Sequence, residues 1–357
     1  MKYKSMHAVL TTGQDTFHLT EIPVPTPGYG EVLLRVYACG VCTSEVHLLQ
    51  TLSQPASYAI HEVPVGPQPG MHDWQVRRTV EEARAASFDE PLLLGHEVSG
   101  QVEALGEGVS GVQIGQRVTA LAQRGFAEYV VVRAANLVSL PDDLPFYLAL
   151  GEPIGCAVNA AIRARVEIGD TVGLVGTGFM GLLLLQLLAQ RGAARVIAID
   201  PRSNARTLAQ QLGADIVLDP VQEDPMEAIW RLTEGKGADV VIEATGNQAG
   251  LTLASHLTRT RGRLVIYGYH QGDARTVEMQ LWNLRGLDVV NAHQRDDAEY
   301  LAGMRRGITM LKYGKLRMAP LVTHRFLLEQ TAEAFALAAR CPEHFIKAVV
   351  EPTQGEA

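Results

Sequence analysis

The sequence predicts an α/β protein in two parts, an antiparallel β-rich domain and a doubly wound parallel sheet covered by helices on both faces. Three observations predict it. At 357 residues the chain is long for one hydrophobic core. Its first part consists of short apolar runs broken by glycine and proline, with no long helical period. From about Ile154 the period switches to alternating strand and helix, the pattern of a parallel sheet.

In the first part, residues 7–10, 17–20 and 31–38 read as strands, with Pro23, Pro25, Pro27 and Gly28 punctuating the last two. Strands resume after Gly95 at 98–105, 116–121 and 126–132, separated by Gly106, Gly108, Gly111, Gly115 and Gly125. Between Leu48 and Pro91, Pro55, Pro64, Pro67, Pro69 and Gly70 predict an extended loop or lid, with a short helix over 79–86. In the second part, 172–175, 196–200, 215–218, 239–243 and 263–267 read as strands, and 181–191, 206–212 and 226–233 as helices. Beyond Gln294 the pattern turns helical and closes with a strand at 345–351.

Composition excludes several function classes. The chain is 47% hydrophobic and 20% charged, with a formal net charge of -8 and no basic run, so it carries no footprint for nucleic acid or an anionic membrane. Its most apolar run, 182–189, is too short to span a bilayer, and the N-terminus carries no signal-peptide pattern. Cys39, Cys42, Cys156 and Cys341 are irregularly spaced, which argues against a disulfide framework and for a reducing, cytoplasmic setting.

Gly176-Thr177-Gly178-Phe179-Met180-Gly181 fits a dinucleotide-binding turn, directly after one apolar strand and at the start of an apolar helix. Gly176 permits the tight turn, Gly178 admits a pyrophosphate, and Gly181 lets the helix pack on the strand, with the helix N-terminus facing phosphate. Nineteen positions beyond Gly181, Asp200 ends the second strand, where a carboxylate accepts from ribose hydroxyls and repels a 2′-phosphate. That favours NAD over NADP, and Arg202 nearby weakens the preference. Thr245, Gly268 and the stretch 291–293 end later strands and are candidates for the nicotinamide pocket.

A second constellation begins at Gly40-Val41-Cys42-Thr43-Ser44-Glu45-Val46-His47, where a thiol, a hydroxyl and an imidazole suit zinc and a proton path. Cys42, His96, Glu97 and Glu152 are the candidate metal ligands, since three protein ligands and one open position make a catalytic zinc site. Spacing alone does not show that they converge. The bland alternatives are an inert buried thiol and surface ion pairs.

The order of these features resembles the zinc-dependent medium-chain dehydrogenases, of the sorbitol and threonine dehydrogenase-like branch, over nearly the whole chain apart from 48–91. The resemblance implies a GroES-like catalytic domain at 1–155, a Rossmann NAD-binding domain at 156–294, and a return of 295–357 to the first. It implies Cys42 and His96 as zinc ligands, Glu97 as ligand or exchange partner, and Glu152 as the remaining acidic group, bound directly or through water. It implies Ser44 and His47 as the proton relay, and a homodimer or homotetramer. The chain departs from the family in three ways: no cysteine lies between 42 and 156 to hold a structural zinc, Glu45 replaces the usual aspartate, and 54 positions separate Cys42 from His96. One metal per chain is therefore expected. The implied reaction is oxidation of a secondary alcohol, a polyol, cyclitol or sugar derivative, by hydride transfer to nicotinamide. Its rivals are a zinc-free NADPH quinone or enoyl reductase of the same superfamily and a non-catalytic, crystallin-like relic.

Overall fold

The computed structural model describes residues 4–13, 16–52, 91–271, 274–293 and 296–353. The expected loop and short helix between 53 and 90 lie outside the described residues.

Three sheets organise the described residues. In the smallest, β1 (Ser5–Thr11) pairs antiparallel with β2 (Phe17–Pro23) and β4 (Leu92–Leu93). The seven-stranded sheet contains β3 (Glu31–Gly40), β5 (Glu97–Leu105), β6 (Arg117–Leu121), β7 (Tyr129–Arg133), β8 (Leu137–Ser139), β15 (Val322–Leu327) and β16 (Lys347–Glu351). Its order is β15-β16-β3-β5-β6-β8, with β7 pairing β3 off that path, so the two C-terminal strands complete a sheet begun near the N-terminus. Only β15 and β16 run parallel in it.

The third sheet is wholly parallel: β9 (Thr171–Val175), β10 (Arg195–Ile199), β11 (Ile216–Leu218), β12 (Ala238–Glu243), β13 (Thr258–Ile266) and β14 (Asp288–Asn291). Its order, β11-β10-β9-β12-β13-β14, reverses at β9, which places the turn after β9 at the topological switch point where such sheets take ligands. The central strands β9, β10 and β12 are largely apolar because alternate residues enter opposite cores. Val172, Leu174, Val240 and Ile242 pack on one side, and Val175, Ile197, Val241 and Leu264 on the other.

Helices α1 (Thr43–Leu52), α2 (Gly151–Ala164), α3 (Phe179–Leu188), α4 (Ser203–Gln211), α5 (Pro225–Leu232), α6 (Gln248–Leu257), α7 (Met279–Arg285), α8 (Asp297–Lys312) and α9 (Thr331–Arg340) complete the described fold. Asp224 caps α5 by accepting from the Met226 N–H at 2.8 Å, with Pro225 at the first helical position. Asn247 and Asp296 cap α6 and α8 in the same way. Among the described residues no helix is long and apolar enough to cross a membrane.

Candidate active site

The 54 positions between Cys42 and His96 vanish in space because β3 and β5 are antiparallel, with Gly40 opposite Glu97. Cys42 lies just past the end of β3 and His96 just before the start of β5, so the register itself sets them side by side. Cys42, His96 and Glu97 each offer a ligand atom, and these atoms lie within 4.8 Å of one another. Gly40 makes room for the third: a Cβ there would stand 2.0 Å from Glu97 Oε2.

Neighbouring groups orient the cluster. Glu45, buried at the first turn of α1, accepts from the Gly95 N–H at 2.8 Å and from His96 Nδ1 at 3.0 Å. This bond puts the imidazole proton on Nδ1 and leaves Nε2 as the donor toward a metal. Burial opposes a charge on His96, but Cys42 and Glu45 beside it hold its pKa well above the ordinary 6.5. Glu45 stands where the resemblance implied an aspartate. Ser44 Oγ donates to Cys42 Sγ at 3.1 Å.

Lys347, in β16, was not singled out from the sequence, although a lysine inside the apolar run 345–350 is the signal that marks it. It is buried, donating to Glu97 Oε1 at 2.6 Å and to the Val41 carbonyl at 2.9 Å. Burial works against its charge, but Glu97, Cys42 and Glu152 around it raise its pKa. Its Nζ also stands 4.5 Å from the centroid of the Phe179 ring, at the start of α3.

The residues fit a divalent cation. Glu97 Oε2 is buried without a hydrogen-bond partner, as is Glu45 Oε2. A thiol and two carboxylates (Glu97, Glu152) gather around one lysine, with Glu45 beside His96, a surplus of negative charge that a cation would offset. Sulfur, imidazole and carboxylate together are donors for zinc with room for an exchangeable position.

Glu152 stands apart from the group of three. It sits in the first turn of α2, where Pro153 costs no hydrogen bond, and its Oε1 lies 3.3 Å from Cys156 Sγ one helical turn on. Burial pushes its carboxyl above the ordinary value. Cys39 is fully buried with its thiol pushed well up by burial.

The nucleotide turn is formed as its glycines require. Gly176 has φ +96, and a Cβ there would meet Thr245 Cγ2 at 2.7 Å. A Cβ on Gly181 would fall 2.2 Å from the Gly176 carbonyl oxygen. Gly178 caps α3 with no side-chain bond, and a Cβ there would meet only Arg202 Nη2, at 3.7 Å. Phe179 is buried and Met180 partly so. Asp200 accepts from the Thr177 N–H at 2.8 Å and takes Arg202 in a fork, Nε at 3.0 Å and Nη2 at 3.1 Å. Burial favours the neutral acid, but these bonds hold Asp200 below its ordinary pKa.

Other residues close the site. Glu243, fully buried at the end of β12, accepts from the Thr245 and Gly246 N–H groups at 2.6 and 2.8 Å. It also meets His270 Nε2 at 2.8 Å, and Arg275 Nε donates to His270 Nδ1 at 3.2 Å. Arg275 brings its charge to His47, which is exposed on α1. His293 Nε2 lies 3.2 Å from the Gly268 carbonyl. His96 and Glu152 also line a cavity of about 780 Å³, together with Arg124, Asn136, Asp297 and Tyr300.

A parallel nucleotide sheet beside a cation-seeking cluster defines an oxidoreductase of two domains. Residues 28–142 match the family model described as alcohol dehydrogenase GroES-like domain, and residues 180–306 that of zinc-binding dehydrogenase. The L-threonine 3-dehydrogenase of Pyrococcus horikoshii is 28% identical over 349 residues, covering 89% of this chain and 91% of its own. Human sorbitol dehydrogenase is 29% identical over 363 residues, covering 92% and 91%. Among solved structures, a zinc-binding dehydrogenase of Sinorhizobium meliloti bound to NADP superposes with TM-score 0.80 at 25% identity, over 98% of this chain and 100% of that one. The 2R,3R-butanediol dehydrogenase of Bacillus subtilis gives 0.78 at 26%, with the same coverage. The chain belongs to the zinc-type medium-chain dehydrogenases, in the alcohol, polyol and threonine branch.

Proposed function

We propose that the protein reversibly oxidises a secondary alcohol to a ketone, using a nicotinamide nucleotide and one zinc ion held by Cys42, His96 and Glu97 with Glu152 beside them. The observation that carries this is the convergence of those three ligand atoms, with an unpartnered carboxylate oxygen among them, next to the end of the nucleotide turn. When bound, zinc would supply the Lewis acidity that lowers an alcohol's pKa, and nicotinamide the acceptor for hydride. The chain's own groups bind, orient and move the proton. Glu45 fixes the His96 tautomer; Ser44 would turn its hydroxyl from Cys42, accept the substrate's hydroxyl proton and release its own toward His47, which is exposed on α1 and would pass a proton to solvent.

Gly176, Gly178, Phe179, Met180, Gly181 and Thr245 hold the nucleotide. Asp200 favours NAD, because a 2′-phosphate would meet its carboxylate; Arg202 is the group through which NADP would be tolerated, once released from Asp200. A polyol, cyclitol or sugar derivative would meet Gln123, Arg124, Asn136, Asp297 and Tyr300, the polar groups of a cavity wall that is otherwise largely apolar. A 2-amino alcohol is the second reading, since Arg124 and Asp297 line the same cavity and offer charges of both signs to a zwitterion. We assign the catalytic domain to 1–155 with 295–357 and the nucleotide domain to 156–294. We also assign a cytoplasmic homodimer or homotetramer, in which the exposed edge strand β14 and the exposed Met279 and Leu284 of α7 would be covered.

The joint presence of Cys42 and His96 opposes the zinc-free reductase reading. The test is NADH formation at 340 nm with a panel of polyols, sugar alcohols and L-threonine, before and after dialysis against a chelator. Turnover that stops on chelation and returns with zinc supports the proposal, and chelator-insensitive turnover refutes the zinc role. Stoichiometric zinc with NAD-induced thermal stabilisation separates an enzyme from a relic, which would show neither.

A further inference from the structure

Helices α2 and α8 cross at close range because two glycines face each other. A Cβ on Gly155 would come 2.8 Å from Met304 Cγ, and one on Gly303 would come 2.8 Å from Asn159 Oδ1 and from the Gly155 carbonyl. That crossing brings Tyr300 of α8 down onto α2. Cys156 Sγ lies 3.3 Å from Tyr300 Oη and 3.3 Å from Glu152 Oε1. One S–H cannot serve both. The carboxylate only accepts, so the thiol donates to Glu152 and the phenol donates to sulfur. Tyr267 Oη, 94% of that residue being buried, ends against the same groups without a hydrogen-bond partner. Tyr300 is at once part of this chain and part of the cavity wall that holds His96 and Glu152.

We propose that Tyr300 and Cys156 are positioning residues for Glu152: the chain Tyr300 Oη–H to Cys156 Sγ–H to Glu152 Oε1 holds that carboxylate back from Cys42, His96 and Glu97. The inference rests on the zinc reading above. Glu152 is the acidic group outside the cluster, and Oε1 is committed to the thiol. Held there, it leaves the exchangeable position at the cluster to substrate or water. A substrate pressing on Tyr300 from the cavity acts on the same chain, so occupancy of the cavity and the freedom of Glu152 are coupled.

The experiment uses the full chain loaded with Co²⁺, with Cys156→Ala, Cys156→Ser, Tyr300→Phe and Glu152→Gln, singly and with the first combined with the last. Visible absorption reports the cobalt coordination, and transfer to a chelator reports the rate of metal loss. Cys156→Ala is expected to release Glu152 onto the ion, altering the cobalt spectrum and slowing metal loss about tenfold, with kcat falling more than KM rises. Tyr300→Phe should move both readouts the same way by less. Cys156→Ser, whose hydroxyl can replace the thiol as donor, should restore the native spectrum. In the Glu152→Gln background Cys156→Ala should do nothing further. An unchanged spectrum and loss rate in both Cys156→Ala and Tyr300→Phe, or an equal change with Glu152→Gln present, overturns the proposal while the zinc reading stands. A native chain that takes up no stoichiometric metal overturns both.

Discussion

Lys347 ties the candidate metal cluster to the nucleotide helix through one buried ammonium, bonded to Glu97 and lying over Phe179. Replacing it with alanine leaves Glu97 buried and unpaired, and removing one partner of such a pair costs about 3–5 kcal/mol. Chemical denaturation of metal-free Lys347→Ala should show a loss of that size. Because the folded pKa of Lys347 is raised above 10.5, its contribution is fully present below that value and is lost only as pH rises above it. Stability through the neutral range should therefore not vary with this group. Glu45→Ala should lower metal affinity about 10–100-fold by freeing the His96 ring, measured by competition with a chromogenic chelator. Asp200→Ser should free Arg202 and raise the NADP-to-NAD ratio of kcat/KM at least about tenfold, a difference of roughly 1.4 kcal/mol. Cys42 and His96 were legible in the sequence through the order of 40–47, 95–97 and the dinucleotide turn, which together carry the resemblance. Lys347 was hidden, because its partner Glu97 lies 250 positions away and only the pairing of β16 with β3 brings β16 to the cluster.

At the scale of elements, the strand and helix periods foretold the parallel sheet well, since strands buried on both faces are apolar without interruption. Four helices (α1, α2, α6 and α7) and three strands (β4, β8 and β15) escaped. Helix α1 begins in Thr-Ser-Glu, read for chemistry and not for its period. Helix α2 opens on Gly-Glu-Pro, yet Pro153 sits in the first turn, where its missing N–H has no intrahelical partner. Helix α7 has no fully buried residue and meets the core through the partly buried Trp282, and β15 lies within a stretch that reads as helical. The turn after β13 matters most for chemistry. Glu243, His270 and Arg275 lock it, and Arg275 faces His47 on α1. Burial, and after it the Arg275 charge, holds His47 below 6.5. Proton release to solvent needs His47 neutral, so the acid limb of kcat/KM should lie below the ordinary histidine range. Arg275→Met should move that limb upward, toward 6.5, in a pH-rate profile.

For the molecule as a whole, the fold explains why widely separated residues share one site. Antiparallel register joins Gly40 to Glu97, the C-terminal strands return to the first sheet, and the sheet order reverses at β9 beside them. The long separation of Cys42 and His96 was a departure in the sequence, but it leaves the pairing of β3 with β5 intact. The substrate was not legible, because the cavity wall is assembled from strands β1, β2, β6 and β7, the 122–124 segment, α2 and α8, and no spacing places Arg124, Asp297 and Tyr300 together. The central claim is that Cys42, His96 and Glu97 hold one zinc ion, and elemental analysis of the purified native chain against His96→Ala tests it most directly. One zinc per native chain and a small fraction of that in His96→Ala is the predicted result; equal zinc in both, or none in the native chain, would contradict it.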